Sequence, residues 1–387
     1  MRRLIALAAL AALAGSLVIA ASAPAATRYV DDDRAQCPQS PFTKIAPAIA
    51  AAAPGDLIQV CPGRYAEQLV LPADKPGLFL NSPATRAAQV VAPATGLVSH
   101  TDLDDFGPQV DLVRLDGARQ HLEGFRLDGP LRPRVGAEGC LSSAAIDIEG
   151  DDVVVADVGI AGLTDSACSE NPAPNVGIRV SGSRDIVNRS AISGARIGVA
   201  LAHATDALIQ LNVIAGRGSG SFTTGISGSL LDRDHGFARG DGMFRSNEVS
   251  ATGIGIRLEY SGGLVLTNHV HDNGTGVLIG DATGVEIRSN VLSRNRLHGL
   301  LAPTIGSHSL GRNGLIRFNQ VRDNGADGIA LFGCFLRCFP ASSEFRVERN
   351  TALGNGRWDC FDDGSGSDVW TANVGVKDSP PTLCAKP

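Results

Sequence analysis

Short runs of alternating apolar and polar residues recur along most of the chain, and each run follows a glycine. The pattern Gly-apolar-x-apolar begins at Gly177, Gly198, Gly225, Gly255, Gly276, Gly299 and Gly328. A second pattern, Asn-x-apolar-x-x-Asn, stands between these runs and begins at Asn268, Asn290, Asn319 and Asn350, with weaker copies at Asn247, Asn212 and Ser190. From Ser190 onward its leading positions step by 22, 35, 21, 22, 29 and 31 residues. A period near 22 with occasional excess indicates a fixed coil that carries loops of variable length.

Each coil is expected to hold three short strands, such as residues 264–267, 285–288 and 315–318. One coil cannot bury its own inward side chains, so successive coils stack about 4.8 Å apart and bury them against each other. Leucine-rich and helical repeats are excluded, because neither an L-x-x-L-x-L pattern nor a sustained 3.6-residue period occurs past residue 60. The pattern therefore predicts an all-β parallel solenoid.

The repeated asparagines are interpreted as structural. They stand where the chain bends, where asparagine tolerates the left-handed conformation and its amide can bond to the next coil as a ladder. The repeated glycines are expected to open strands at tight corners.

Both ends of the solenoid are predicted to be capped. One amphipathic helix is expected over residues 42–54, with Ile45 and Ile49 on its apolar face and Pro54-Gly55 at its end. Residues 356–387 are expected to close the other end, with Trp370 over the last core layer.

The amino terminus predicts export. Arg2 and Arg3 precede the apolar run 4–21, and small residues follow, so residues 1–26 are interpreted as a cleaved signal peptide and residues 27–387 as one β-helix domain. The rival interpretation is a membrane anchor, but no later stretch approaches the length of a spanning helix. The mature protein is expected to be secreted or periplasmic, and monomeric.

The eight cysteines agree with an oxidising compartment. Distant residues of a solenoid are far apart in space, so pairing of sequence neighbours is favoured over the other connectivities. No Cys-x-x-Cys or Cys/His cluster suggests zinc. The expected pairs are Cys37 with Cys61, Cys140 with Cys168, Cys334 with Cys338, and Cys360 with Cys384.

The net charge of −6 gives too little positive charge for a nucleic-acid partner.

A family resemblance rests on residues 44–67 and on the coil repeats. A short helix ends in Pro54-Gly55-Asp56, a strand follows, and Pro62-Gly63-x-Tyr65-x-Glu67 comes next. This order resembles the entry to the right-handed parallel β-helices of the pectin-lyase-like superfamily. The resemblance implies that fold, and in the active members a polysaccharide lies in a groove along the first sheet of each coil. It does not fix the function, because lyases, epimerases, hydrolases, tailspikes and adhesins share the fold.

Outward positions of the Gly-apolar-x-apolar strands are the candidate groove residues. The substrate-binding candidates are Asp147, Glu149, Arg179, Glu259 and Arg239. The densest acid/base cluster is the insertion at residues 229–242, which follows the Ser227 strand. The catalytic candidates are Arg257, Asp232, Asp234 and His235, and the carboxylates of Asp232, Asp234 and Asp241 are candidates for a calcium site.

Two further patterns bear on the chemistry. His269 and His271 face the same side of a strand, an arrangement that can seed a metal site, although the sequence shows no third ligand. The paired aspartates of the superfamily's hydrolases do not occur on the groove strands, which disfavours a hydrolase.

Two hypotheses follow. In the first, the protein binds and processes an acidic polysaccharide as a lyase or a C5-epimerase. In the second, it is a non-catalytic solenoid that binds an extracellular or cell-surface glycan.

Overall fold

Three long sheets run the length of the molecule and form a parallel solenoid. The computed structural model describes residues 25–101, 108–129, 142–163, 175–217, 223–232, 236–239, 241–258, 262–280, 282–303, 312–332, 343–364 and 367–387. Within these residues every coil passes through the three sheets in turn, and each strand pairs with its counterparts in the coils before and after it. The predicted fold class is confirmed.

The first sheet contains the Gly-apolar-x-apolar strands. Its strands are Leu69–Leu71, His100–Thr101, Pro108–Leu115, Ser142–Ile148, Asn175–Val180, Ile197–Leu201, Thr224–Ser227, Ile254–Leu258, Thr275–Ile279, Leu300–Pro303, Ile329–Phe332, Cys360–Asp362 and Asp378–Ser379.

The second sheet follows the first in each coil. Its strands are Thr27–Val30, Leu57–Val60, Phe79–Asn81, His121–Glu123, Val154–Ala156, Ile186–Asn188, Ala207–Gln210, Gly242–Arg245, Gly263–Leu266, Val285–Arg288, Arg312–Arg317, Ser343–Glu348 and Val369–Thr371.

The third sheet returns the chain toward the next coil. Its strands are Gly63–Ala66, Ala88–Val91, Phe125–Asp128, Gly159–Ala161, Ala191–Ser193, Val213–Ala215, Glu248–Ser250, His269–His271, Val291–Ser293, Gln320–Arg322 and Thr351–Leu353. The inward side chains of all three sheets are mostly apolar and form one continuous core that extends from Val30 to Cys384.

The asparagine ladder is present, and it is double. In the first ladder the side-chain amide of each asparagine donates to the Oδ1 atom of the next, through Asn212, Asn247, Asn268, Asn290, Asn319, Asn350 and Asn373. A second ladder starts at Thr252 and passes through Asn273, Asn295, Asn324 and Asn355 to Asp359. All of these side chains are buried, and the ladders satisfy the buried polar groups at two corners of the coil.

The expected left-handed conformation falls one residue earlier than predicted. Leu211, Thr267 and Phe318 have φ angles of 57°, 54° and 57°, and each immediately precedes a ladder asparagine. The preceding residue makes the turn, so the asparagine side chain itself points inward to its partners. A left-handed non-glycine residue is unfavourable, and the hydrogen bonds of the ladder stabilise it at each corner.

The glycine column has a steric origin. A Cβ atom at Gly255 would lie 2.6 Å from the carbonyl oxygen of Gly276 in the next coil, and the same close approach recurs along the column. Glycine is required there because neighbouring backbones leave no space for a side chain.

The predicted cap helix is present but shorter than expected, covering Ile45–Ala51. The Glu67 carboxylate accepts hydrogen bonds from the amides of Ile45 and Ala46, so the last residue of the Pro-Gly-x-Tyr-x-Glu motif caps the helix. Phe42 forms a β-bridge with Val30 and is therefore extended. At the other end Pro54 disfavours helical geometry in the residue before it.

Disulfides Cys37–Cys61 and Cys360–Cys384 are present as expected. Trp370 packs against the core and donates a hydrogen bond to Asp362, while the capping role of residues 356–387 stays a prediction. Residues 1–24 of the predicted signal peptide 1–26 lie outside the described residues, as do the pairs Cys140 with Cys168 and Cys334 with Cys338. None of the described helices is long and apolar enough to cross a membrane.

Candidate functional site

A row of outward side chains runs across the first sheet, one from each coil. Register pairing gives its order as Val70, Arg114, Asp147, Arg179, Ala200, Ser227, Arg257, Leu278, Leu301 and Ala330. The predicted groove positions from Asp147 onward therefore stand side by side, and charge is concentrated at the amino-terminal end of the row.

His100 reaches this end of the row by a local reversal of the chain. Strand His100–Thr101 pairs antiparallel with the start of strand Pro108–Leu115, opposite Gln109. The carboxyl end of that same strand pairs with Leu69–Leu71 in the ordinary parallel manner. The reversal places an imidazole over the outer face of the sheet, where the coil repeat alone would place none.

Three carboxylates surround the His100 ring. Its Nδ1 atom lies 3.3 Å from Oδ2 of Asp111, and its Nε2 atom lies 3.6 Å from Oδ2 of Asp147 and 3.4 Å from Oε1 of Glu149. The amide of Gln109 lies 3.1 Å from His100 Nε2 and donates to Asp147 Oδ2 at 3.1 Å. We call these four ionisable residues, His100, Asp111, Asp147 and Glu149, the imidazole cluster.

Burial makes the charges of this cluster strongly interdependent. Asp147 is 0% exposed and Asp111 is 2% exposed, while the His100 side chain keeps 17% of its surface. Burial alone lowers the pKa of His100, but hydrogen bonds to Asp147 and Glu149 and the charge of Asp111 raise it to about 9. Burial and the neighbouring Asp147 raise the pKa of Asp111 well above its usual range. At neutral pH the cluster therefore holds an imidazolium beside an Asp111 carboxyl group that binds a proton more readily than an ordinary aspartate.

Two arginines flank the cluster. Arg179 is fully buried, with Nη1 3.7 Å from Oδ2 of Asp147. Arg114 is paired with Asp116 through two contacts, Nε to Oδ1 at 2.7 Å and Nη2 to Oδ2 at 3.0 Å. This two-point pairing fixes the plane of the Arg114 guanidinium.

A cleft of about 700 Å³ opens beside the cluster, a volume suited to a sugar-sized ligand. His100, Asp111 and Arg114 line one side of it. Neither carboxylate oxygen of Asp111 has a hydrogen-bond partner among the described residues, although both are buried. The His100 contact at 3.3 Å is an ion pair, so Asp111 still stands to gain from a hydrogen bond to a ligand in the cleft.

The sequence-predicted groove residues Asp147, Glu149 and Arg179 meet here. Arg257 lies farther along the same row, four coils and about 19 Å from Asp147. The catalytic role predicted for it stays a prediction.

The predicted insertion forms a hairpin, Ser229–Asp232 paired with Gly236–Arg239, which runs close to strand Ile197–Leu201. Asp232 and Arg239 lie on its strands, whereas Asp234, His235 and Glu259 lie outside the described residues. Asp241 is exposed, and its Oδ1 accepts the Gly262 amide at 2.8 Å. The calcium role of this segment stays a prediction.

Three residues of the site have no counterpart in the sequence prediction: His100, Asp111 and Arg114. The coils that hold them precede the clear repeats, so their register is hidden in the sequence. Asp111 and Arg114 do stand in an alternating segment, Gln109-Val-Asp-Leu-Val-Arg-Leu, and that alternation is the available signal.

Comparisons with known proteins agree on the architecture. A family model described as right handed beta helix region matches residues 236–376. Among solved structures, the A-module of the mannuronan C-5 epimerase AlgE6 from Azotobacter vinelandii superimposes with a TM-score of 0.60 at 15% identity, over 86% of this chain and 88% of that one. The chain is a right-handed parallel β-helix protein. The resemblance to the pectin-lyase-like superfamily is thus confirmed at the level of the fold.

Two further structures extend the comparison. The periplasmic alginate epimerase AlgG gives a TM-score of 0.52 at 12% identity, over 83% of this chain and 77% of that one. The Dettilon tailspike protein gives 0.52 at 14% identity, over 91% of this chain and 62% of that one. A comparison with curated protein sequences found no significant match. At these identities the similarity establishes the fold alone.

Proposed function

We propose that this β-helix protein binds a uronate-containing polysaccharide along its first sheet and transfers a proton at C5 of one uronate residue, as a lyase or a C5-epimerase does. The observation that carries the proposal is the imidazole cluster, in which His100 stands between three carboxylates at the wall of a sugar-sized cleft. Perturbed acid and base groups gathered in a cleft are typical of proton-transfer sites.

Neutralising the substrate carboxylate is the first requirement, because the C5 hydrogen becomes acidic only when that charge is offset. The protonated His100 supplies a cation beside the cleft, and Arg114 supplies another. Burial and the neighbouring Asp147 raise the pKa of Asp111, and in its protonated form Asp111 can donate a hydrogen bond to the same carboxylate. Together these groups stabilise the charge that develops when C5 loses its proton.

Glu149 is assigned as the base and His100 as the acid. The Glu149 carboxylate is partly exposed and lies within reach of a sugar held over His100. In elimination, Glu149 takes the C5 proton, the C4–O4 bond breaks, and His100 protonates the departing O4. In epimerisation, Glu149 takes the C5 proton from one face of the ring and a water molecule returns a proton to C5 from the opposite face, because His100 contacts Glu149 and stands on the same side of the sugar. Glu149 passes its proton back to solvent, and the glycosidic bond stays intact.

The remaining row of the first sheet supplies one more cation for a polymer. Arg257 is partly exposed and offers its charge to a more distant uronate, whereas Ala200 and Ser227, which stand between it and Arg179, are buried. A glycan partner is also compatible with the fold, since mannuronan and alginate epimerases have a similar β-helix.

We also propose that the protein is exported from the cytoplasm. The predicted signal segment and the two disulfides Cys37–Cys61 and Cys360–Cys384 favour the periplasm or the outside of the cell, where polysaccharides are met.

A bound calcium ion is a second possible arrangement of this site, and the proton transfer described above does not depend on it. His100, Asp147 and Glu149 place one potential ligand atom each within 4.8 Å of one another. Calcium prefers oxygen ligands, however, so it would compete with the imidazolium for the carboxylates. Assays with added calcium and with a chelator therefore separate the two arrangements.

The test is a uronate panel of polymannuronate, polyguluronate, pectate and a glucuronate-containing glycan. Elimination is read from the ultraviolet absorbance of the unsaturated product, and epimerisation from proton NMR and from solvent deuterium at C5. We expect activity on at least one polymer, a loss of 100-fold or more in His100→Gln and Glu149→Gln, and no loss in His203→Asn, an exposed histidine away from the cleft.

The result that would overturn the enzymatic proposal is neither product nor deuterium incorporation on any polymer. Binding to the same panel, abolished by His100→Gln, would then favour the non-catalytic solenoid.

A further inference from the structure

A second group of metal-ligating side chains lies on the third sheet, away from the cleft. His269 and His271 alternate on strand His269–His271 and face outward around the buried Val270. In the preceding coil Glu248 is the register partner of His269. The sequence pattern supplies the two histidines, and stacking of the coils supplies a third ligand that is 21 residues away in the chain.

The three side chains converge closely. The ring centroids of His269 and His271 are 4.2 Å apart, and His271 Nε2 lies 3.3 Å from Oε1 of Glu248. One potential ligand atom from each of the three residues lies within 4.8 Å of the others. Ligand atoms around a tetrahedral zinc ion are about 3.4 Å apart, given bonds of about 2.0–2.2 Å. Small rotamer changes of the exposed His269 and Glu248 side chains suffice to close the group around an ion.

The contacts of the His271 ring orient its Nε2 atom toward Glu248. Its Nδ1 atom lies 2.6 Å from Oδ2 of Asp272, and a carboxylate can only accept, so Nδ1 carries the hydrogen. The Asp272 carboxylate is itself held by Arg294, through Nη2 at 2.8 Å and Nε at 3.1 Å. Arg294 Nη2 also lies 3.4 Å from His271 Nδ1, but the shorter contact to Asp272 decides the tautomer.

The Nε2 atom of His271 therefore faces the Glu248 oxygen at 3.3 Å. With the hydrogen on Nδ1, Nε2 and the carboxylate oxygen can both bind one metal ion placed between them. A carboxylate that orients the far nitrogen of a ligating histidine is the usual second shell of a protein-bound metal.

We propose that Glu248, His269 and His271 form a binding site for a divalent transition-metal ion of the zinc class, with Asp272 as the positioning residue for His271. Two imidazoles and one carboxylate suit zinc, nickel or copper better than calcium or magnesium, which prefer oxygen ligands. Glu248 retains 52% of its side-chain surface, so the fourth coordination position is open to solvent.

The test is a zinc titration of the tag-free, chelator-treated protein by isothermal calorimetry. We expect wild type to bind one equivalent more than the double variant His269→Ala/His271→Ala, and Glu248→Gln to weaken that equivalent about tenfold. Calcium should give no corresponding difference. Because the readout is a difference between proteins, zinc that binds at the imidazole cluster contributes equally to both and cancels.

Controls separate ligation from folding. His203→Asn removes an exposed imidazole elsewhere and should leave the equivalent intact. Asp272→Asn should weaken zinc about 10–100-fold, with an unchanged melting temperature in the absence of metal and a diminished visible absorption band of the cobalt-substituted site. Equal zinc binding by wild type and the double variant would overturn the proposal.

Discussion

Asp147 and Arg179 occupy the same outward row of the first sheet, one coil apart, and both side chains are fully buried, with Nη1 of Arg179 3.7 Å from Oδ2 of Asp147. Outward positions of a solenoid are ordinarily wet, so a buried ion pair there is unusual. It also sets the field around His100, because Asp147 contacts the imidazole on its other side. The pair therefore connects the stability of this region to its chemistry.

Removing one partner of this ion pair should destabilise the protein more than replacing both partners with apolar residues. Arg179→Met leaves Asp147 buried beside Asp111 without the guanidinium, and we expect a loss of about 3 kcal/mol in the free energy of unfolding. The double variant Asp147→Leu/Arg179→Met should lose clearly less than the sum of the single variants, because neither charge is then stranded. Urea denaturation of the four proteins measures the coupling. Additive losses would show that the two charges do not interact.

His100 should titrate far above an ordinary histidine. Its folded pKa of about 9 exceeds the unfolded value of 6.5, so the protonated form is favoured by folding. The stabilisation is fully present below about pH 6.5 and is lost as the pH rises through about 9, amounting to about 1 kcal/mol after solvent screening. Proton NMR of the histidine ring signals gives the pKa directly, and Glu149→Gln should lower it by about one unit. A wild-type value near 6.5 would contradict the assigned contacts.

Removing a ladder asparagine should lower the free energy of unfolding substantially. Asn290 donates to Val265 O at 2.9 Å and to Asn319 Oδ1 at 3.0 Å, and its Oδ1 accepts from the backbone and the side chain of Asn268. Asn290→Ala leaves these buried partners unsatisfied, and we expect a loss of about 3 kcal/mol in unfolding free energy. The control is Asn313→Ala, at an exposed asparagine whose Oδ1 accepts one hydrogen bond from the Gly284 amide, and this change should cost under about 1 kcal/mol. Similar losses in both variants would remove the special role of the ladder.

The solenoid could be predicted from sequence because its physics is local and repeated. Gly255 and Gly276 recur because neighbouring backbones leave no room for a side chain, and Asn268 and Asn290 recur because each continues the ladder. Every coil is therefore subject to the same two constraints, and the sequence repeats them. The error at the corner, where Thr267 rather than Asn268 is left-handed, is an error of one residue within a correct pattern.

The candidate site could be predicted only in part because it depends on an irregularity. Asp147 and Arg179 follow from the row, since alternation places them outward. His100 does not, because its position depends on a reversal beside Gln109, which is the only antiparallel pairing of the first sheet among the described residues. Glu248, the third ligand of the metal-binding group, was not predicted from the sequence for a related reason. Glu248 and His269 are neighbours only through the register between two coils, which sequence spacing alone does not fix.

Asp185 provides a test of burial that is independent of both sites. It is 0% exposed, its Oδ1 accepts the Val153 amide at 2.8 Å, and burial with nearby Asp151 and Asp152 raises its pKa to about 7. The folded pKa exceeds the unfolded 3.8, so ionisation opposes folding, and the penalty grows from about pH 4 and is complete above about pH 7. Asp185→Asn keeps the acceptor and removes the charge. We expect the variant to match wild type near pH 4 and to be more stable by about 2 kcal/mol at pH 8, measured by urea denaturation at both pH values. Asp206→Asn, at an exposed aspartate, should show no such pH-dependent gain. An equal effect of Asp185→Asn at both pH values would mean that Asp185 is not ionised against a burial penalty.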